Sequence, residues 1–291
     1  MADSPLRRVR IVAPRPIDLG ALTGEFPSVT FERSDDAEPG SPAVDVEAWL
    51  AADDFADFDA RCGRASSDAL TIRAGAEPSL VTRVAWEALT RLQRRLDRRN
   101  HASAGPVFDE VLRAHRALHD TSKPLVAADL DHALDTWQWL LRIAPGAPLP
   151  LQLAALFHDV ERLESEADRR VEHHAADYQA FKDAHARRGA ALAFAVLVAA
   201  GVAPRSADRA RALVAAHERP GPDPELDLLN DADALSFFSL NSPGYADYFG
   251  PAQTRRKVAY TLERMSHAAR ARLATVRLRP DVRRLVDAEA A

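Results

Sequence analysis

The residues able to do chemistry lie in the second half of the chain. They are His132 in LDHALDTW, the adjacent pair His158-Asp159 in AALFHDVERL, His185 in FKDAHARRGAALA, His217 in LVAAHERP, and Asp231 and Asp233 in LLNDADALSFF. One histidine beside an apolar helix face is ordinarily a satisfied core residue. A His-Asp pair at the end of an apolar run is different, because burying two polar side chains together costs several kcal/mol unless something satisfies them. A divalent cation does so, and a shell of histidine nitrogens and aspartate oxygens suits Mn, Fe, Co, Ni or Zn. His132 and His158 stand 26 residues apart, as do Asp159 and His185; 32 residues separate His185 from His217, and 16 separate His217 from Asp233. Each longer interval suits a helix, a turn and a returning helix, and RPGPDPE can close the short one.

In this order the residues resemble the HD-domain superfamily of metal-dependent phosphohydrolases, over residues 124–275. The surroundings agree as well as the letters: the His-Asp pair follows an Ala/Leu-rich run, Asp233 lies in an Ala-Asp-x-Leu context, and the helix of His185 leads into Gly-Ala-Ala. The resemblance implies an all-helical fold and one metal held by His132, His158, Asp159 and Asp233, with Asp231 the rival for the last place. Members with two metals have two further histidines between the pair and the final aspartate. His185 and His217 fall there, which makes them, with Asp231, candidates for a second cation or for substrate contact. The alternative is structural hydrogen bonding by paired imidazoles. As ligands they would be neutral and oriented by acceptors behind them. The implied cofactors are one or two divalent ions, drawn from Mn, Fe, Co, Ni, Zn or Mg.

A bound cation would lower the pKa of water toward about 7 and polarise a phosphoryl oxygen. Asp159 would bind the metal and orient that water. Glu161 and Arg162, three and four residues after His158, share its face if the helix continues. Glu161 is then the candidate proton shuttle and Arg162 the candidate phosphate clamp; the plain alternative is a surface ion pair of little energy. The guanosine-tetraphosphate hydrolase branch has an acidic pair four and five residues after the histidine. This chain has Arg162 and Leu163 there, which weakens the alarmone reading. Lys182, three residues before His185, and Arg188 after it are candidate phosphate contacts, with a solvated helix face as the alternative. His173-His174 reads as a loop at the rim of the site. His101, His115, His119 and His267 read as structural. Tyr245 and Tyr248, beside a turn at 241–244, read as core or as pocket wall.

Positioning these residues falls to helices, expected at 107–118, 125–143, 149–165, 177–200, 206–217, 227–238 and 251–273 and parted by APGAPLP, GVAP and RPGPDPE. On this reading His132 and the His158-Asp159 pair both lie inside helices. The first hundred residues differ. Strands are expected at 9–13, 29–32 and 69–73, a loop at 38–42, mixed helical signals over VDVEAWLAADDFADFDARCG, and a helix opened by Pro78. Asp53, Asp54, Asp57 and Asp59 read as a solvated face, and residues 100–106 as a linker. The expected fold is mainly α: a small α/β unit over residues 1–100, then an all-helical HD domain over residues 107–291.

Composition closes off other classes. Across 291 residues, 47% are hydrophobic and 28% charged, enough for a real core and against wholesale disorder. A net charge of −5 makes no attractor for nucleic acid or an anionic membrane. The single cysteine, Cys62, excludes an internal disulfide and a cysteine-based zinc site. The apolar stretch 189–202 is shorter than the roughly 20 residues a bilayer requires, and MADSPLRRVR has no apolar signal core, so a cytoplasmic protein is expected. No P-loop, Gly-x-Gly-x-x-Gly turn or nucleophile elbow is present. Lysine occurs only at Lys123, Lys182 and Lys257, while arginine is abundant and alanine is about a fifth of the chain. Any single arginine therefore carries little weight. The function expected from the resemblance is HD-type hydrolysis of a small phosphorylated molecule, a nucleotide being one option. Two alternatives are an HD-fold di-iron oxygenase and a non-catalytic metal- or ligand-binding regulatory module. A homo-oligomer is compatible with each.

Overall fold

The computed structural model describes residues 8–12, 30–34, 46–51, 70–73, 106–171, 175–274, 276 and 278–290. The chain divides into two compact units, Met1–Asn100 and His101–Ala291. In the first, β1 (Arg8–Val12), β2 (Thr30–Ser34), β3 (Val46–Ala51) and β4 (Leu70–Arg73) form a parallel sheet in the order β2-β1-β3-β4. Three of these strands stand where the sequence predicts them. β3 is a correction. Its residues, VEAWLA, include good helix formers, but it pairs with β1 on one side and β4 on the other. A strand bonded on both flanks is set by its neighbours more than by propensity. The register places Arg10 opposite Glu32, and their side chains form an ion pair at 2.8 Å. The predicted loop at 38–42, the acidic cluster at 53–59, the helix from Pro78, residues 100–105 of the linker and His101, His173 and His174 lie outside the described residues.

The second unit is helical: α1 (Pro106–Ala117), α2 (Pro124–Ile143), α3 (Leu149–Phe157), α4 (Arg162–Ser165), α5 (Tyr178–Ala199), α6 (Pro204–Ala216), α7 (Pro224–Ser236), a π-turn (Phe237–Asn241), α8 (Ser242–Arg264), α9 (His267–Leu273) and α10 (Pro280–Ala290). Proline opens most of them. Pro106, Pro124, Pro204, Pro224 and Pro280 take the first position, and Pro150 and Pro243 the second. There a preset φ suits the helix and the missing N–H would have had no partner. The segments APGAPLP, GVAP and RPGPDPE are thus starts as much as breaks. The NSPG segment, expected as a turn, places Ser242, Pro243 and Gly244 in the first turn of α8.

α3 is the hub. Every side chain from Leu151 to Phe157 is buried, and the helix packs against α1, α2, α5, α6 and α7. A helix apolar on all sides belongs in the middle of its domain. Its one polar residue, Gln152, accepts from Trp137 Nε1 (3.0 Å) and donates to the Ala147 carbonyl (2.8 Å). α5 and α6 return on one another through Gly201, whose φ of 80° is open to glycine at little cost. Val202 N–H reaches the Leu197 carbonyl and Gly201 N–H that of Val198, both at 3.0 Å. These two bonds close the end of α5, with Leu197 and Val202 buried beside them.

Other boundaries differ from expectation. The helix predicted over 149–165 stops at Phe157, and residues 158–161 form a turn before α4. The helix predicted over 251–273 is the later part of α8, which kinks at Gly250 (φ 75°), followed by an extended Met265 and then α9. α10 was not foreseen. The apolar stretch 189–202 is the later part of α5 and its turn, and no helix among the described residues is long and apolar enough to cross a membrane. Because Leu153 is wholly buried on a helix packed against five others, Leu153→Ala is expected to cost about 2–5 kcal/mol, read as a lower urea midpoint at an unchanged slope.

Candidate metal centre

Two helices end at the centre of this unit. His158 is the C-terminal cap of α3 and His217 that of α6. The last carbonyls of a helix have no partner within it. Here the caps supply one each: His158 Nδ1 donates to the Ala155 carbonyl at 3.0 Å, and His217 Nδ1 to that of Val214 at 2.8 Å. The negative ends of two helix dipoles therefore converge where a cation is favoured. His132 comes from the middle of α2, His185 from α5 and Asp233 from α7. α5 passes close to the turn at 158–161 at Gly189, one turn after His185, where a methyl would sit in ordinary contact 3.5 Å from Glu161 Cβ.

The structure gathers the predicted residues into two groups that share Asp159. In the first, His132 Nε2 lies 3.1 Å from Asp233 Oδ1 and 3.3 Å from His158 Nε2, with Asp159 Oδ2 3.8–3.9 Å from both histidines. In the second, Asp159 Oδ1 lies 3.0 Å from His185 Nε2 and 3.8 Å from His217 Nε2, and Glu218 Oε1 is 3.4 Å from His217 Nε2. Donors bound to a zinc-like ion at about 2.0–2.2 Å sit roughly 3–3.5 Å apart. The histidines are almost wholly buried, whereas the Asp159 and Asp233 side chains retain 13% and 19% exposure, so the groups open to solvent on their carboxylate side.

The hydrogen atoms argue the same way. Three imidazoles have an acceptor-only partner behind them: the carbonyls of Ala155 and Val214, and the Glu161 carboxylate 2.7 Å from His185 Nδ1. Each Nδ1 therefore carries the proton, and in a neutral ring Nε2 turns a lone pair inward. His132 Nδ1 meets Ser236 Oγ at 2.9 Å. The His185 lone pair facing Asp159 Oδ1 at 3.0 Å is repelled unless a cation or an extra proton lies between them. His217 Nε2 is buried and makes no hydrogen bond among the described residues. The donor set fits a divalent ion in each group.

The carboxylates are held ionised. Burial alone would raise Asp159, Asp233 and Glu218, but nearby positive charge and hydrogen bonds keep all three well below the ordinary range. Arg162 and the histidines act on Asp159, His132 and His158 on Asp233, and Lys182, His217 and Arg264 on Glu218. Arg162 Nε lies 2.8 Å from Asp159 Oδ2, and Lys182 Nζ 2.6 Å from Glu218 Oε1. Arg264, from the end of α8, joins both groups. It donates to the His217 carbonyl (2.7 Å) and Asn230 Oδ1 (3.0 Å), and lies 3.4 Å from Glu218 Oε2 and 3.6 Å from Asp233 Oδ2.

Some expected residues stand elsewhere. Asp231 is in neither group: its oxygens accept from Ser266 N–H (2.8 Å) and Oγ (2.6 Å), fixing the start of α9. Burial holds its carboxyl above the ordinary value despite those bonds. Glu161 does not share a helix face with His158, because α3 has already ended. It lies behind His185, buried, bonded also to Ser165 (2.8 Å) and Arg188 (2.7 Å). Lys182 faces Glu218 inside the centre, and Arg188, among the described residues, pairs with Glu161. Glu218 and Arg264 were missed. Glu218 had a signal, since it follows His217 at a helix end as Asp159 follows His158. Arg264 had none.

Two outcomes follow for the metal-free protein. Arg264→Leu leaves buried carboxylates less compensated and is expected to cost about 3 kcal/mol in urea unfolding. His217, which burial would lower, is instead raised to about 9 by Glu218 and Asp159. A pKa raised on folding stabilises fully below its unfolded value near 6.5 and ceases to do so as pH passes 9. With chelator present, stability should fall across that window, and His217→Gln should flatten the fall.

A protein-family model described as Domain of unknown function (DUF4202) matches residues 107–286, from the first turn of α1 into α10. No curated protein and no solved structure matches the chain. The matched span covers both groups of ligand atoms and more than half of the sequence, and the chain belongs to the DUF4202 family.

Proposed function

We propose that the helical unit is a metal-dependent phosphohydrolase of the HD type, acting on a small phosphorylated molecule. The observation that carries this reading is the division of Asp159, whose Oδ2 faces one histidine group and whose Oδ1 faces the other. A carboxylate between two histidine groups could serve a cation in each, and paired cations are a recurrent device of phosphoester hydrolysis. When bound, the ions supply water of lowered pKa and polarise a phosphoryl oxygen. His132, His158, Asp159 and Asp233 would hold the first. Asp159, His185 and His217 would hold the second, with Glu218 added to the expected set.

The remaining residues position and balance charge. Arg162 fixes Asp159, which orients the water, and is the candidate phosphate clamp. Lys182 and Arg264 place further positive charge beside the carboxylates, which favours an anionic substrate over a neutral one. Glu161 acts through His185, setting its ring, and not as the proton shuttle.

Protein grown under controlled metal supply should carry two divalent ions per chain and hydrolyse 4-nitrophenyl phosphate. Asp159→Ala should lose both ions and turnover with its helical signal intact. Glu161→Ala should weaken metal affinity about 10–100-fold. Two irons per chain with a mixed-valent signal and no phosphoester turnover would overturn the reading in favour of oxygen chemistry. Absence of stoichiometric metal in a folded protein would leave a regulatory module.

A further inference from the structure

The two groups differ in what already stands on their carboxylates. Lys182 and His185, three residues apart on one face of α5, both reach the second group, which Glu218 enters from the end of α6. Lys182 Nζ lies 2.6 Å from Glu218 Oε1, and that same oxygen stands 3.4 Å from His217 Nε2. The other oxygen, Oε2, faces Arg264 at 3.4 Å and the Tyr260 hydroxyl at 3.5 Å. The side chains of Lys182 and Glu218 each keep only 3% exposure, so salt and water screen their charges poorly.

The first group has a cation of its own in Arg162, 2.8 Å from Asp159 Oδ2. Arg162, however, brings an anion from outside the two groups. Its Nη1 lies 2.8 Å from Glu166 Oε2, and Glu166 is buried beside it. Together the two add little net charge. The partner of Lys182 is instead Glu218, itself a candidate ligand. Beside the second group the lysine charge is therefore set against the very oxygen that a cation would need.

We propose that Lys182 is an internal competitor for the second cation, so that the centre keeps one resident ion in the first group and one exchangeable ion in the second. The inference rests on the two-ion part of the phosphohydrolase reading and adds the order of loading. An ion bound to Glu218 Oε1 at about 2.1 Å would lie no more than about 5 Å from the ammonium. A double positive charge that close to a buried single one is strongly repelled. Occupancy of the second group then follows the supply of divalent ion while the first stays filled. When the second ion is absent, Lys182 supplies the counter-charge that Glu218 requires.

Manganese titrated by calorimetry into chelator-stripped full-length protein tests this without recourse to activity. The wild type is expected to bind two ions in steps at least about 10-fold apart in affinity. Lys182→Met should tighten the second step by a similar factor and leave the first unchanged. In urea the empty variant should unfold more readily than the wild type, and manganese should raise its midpoint by more. Should the variant not fold when empty, the wild-type titration still decides, because two equal steps there would overturn the inference. So would a folded Lys182→Met protein whose second step is unchanged or weaker, or one ion in both proteins. A second ion seen only in the variant would support it. Failure of the wild type to bind any manganese would overturn the metal-centre reading as well.

Discussion

Helices usually finish at a surface, where water completes their last carbonyls. α3 and α6 finish inside the domain, and the centre is organised around that fact. Each ends in a histidine that folds Nδ1 back onto a carbonyl three residues earlier. One hydrogen bond thus caps the helix, chooses the tautomer and aims Nε2 forward. Because both helices do this at the same point, lone pairs and carboxylates crowd a small buried volume, where only positive charge can relieve them.

The surrounding architecture serves this convergence. α3 must be apolar on all sides to end in the middle, and Leu151–Phe157 provide that. The Gly201 turn brings α6 back along α5, so His185 and His217 arrive from adjoining helices. α5 runs alongside the turn at 158–161, where Glu161 supports His185. The π-turn after α7 continues the same face: Ser236 supports His132, and Ser239 accepts from Trp139 Nε1 at 2.9 Å.

Much of this was legible because histidines and a buried His-Asp pair stand out against an alanine- and arginine-rich background. Helix positions were legible from periodicity. The end of α3 was not, since its apolar letters run into a turn that only the packing of α5 and the His158 cap define. Asp231 and Asp233 could not be separated by letters. Two residues apart on a helix they point about 200° from one another, so one faces the histidines while the other is left for Ser266. Arg264 was invisible for a different reason. Its partners lie 31–47 residues away in sequence, and in a chain this rich in arginine nothing marks it before the fold brings α8 alongside. β3 was hidden because its own residues favour a helix and only its two neighbours make it a strand.

The ion pairs of Arg162, Lys182 and Arg264 have one more consequence. Small metal-folded domains remain unstructured until their ion arrives, because their ligands have no other counter-charge. Here the buried Lys182 and the half-buried Arg162 and Arg264 already stand against Glu218, Asp159 and Asp233, and a hydrophobic hub holds the helices together without help. Assembly of the scaffold therefore does not wait on an ion, and loading of the candidate centre would be a separate event. The chain can reach its shape with the candidate centre empty.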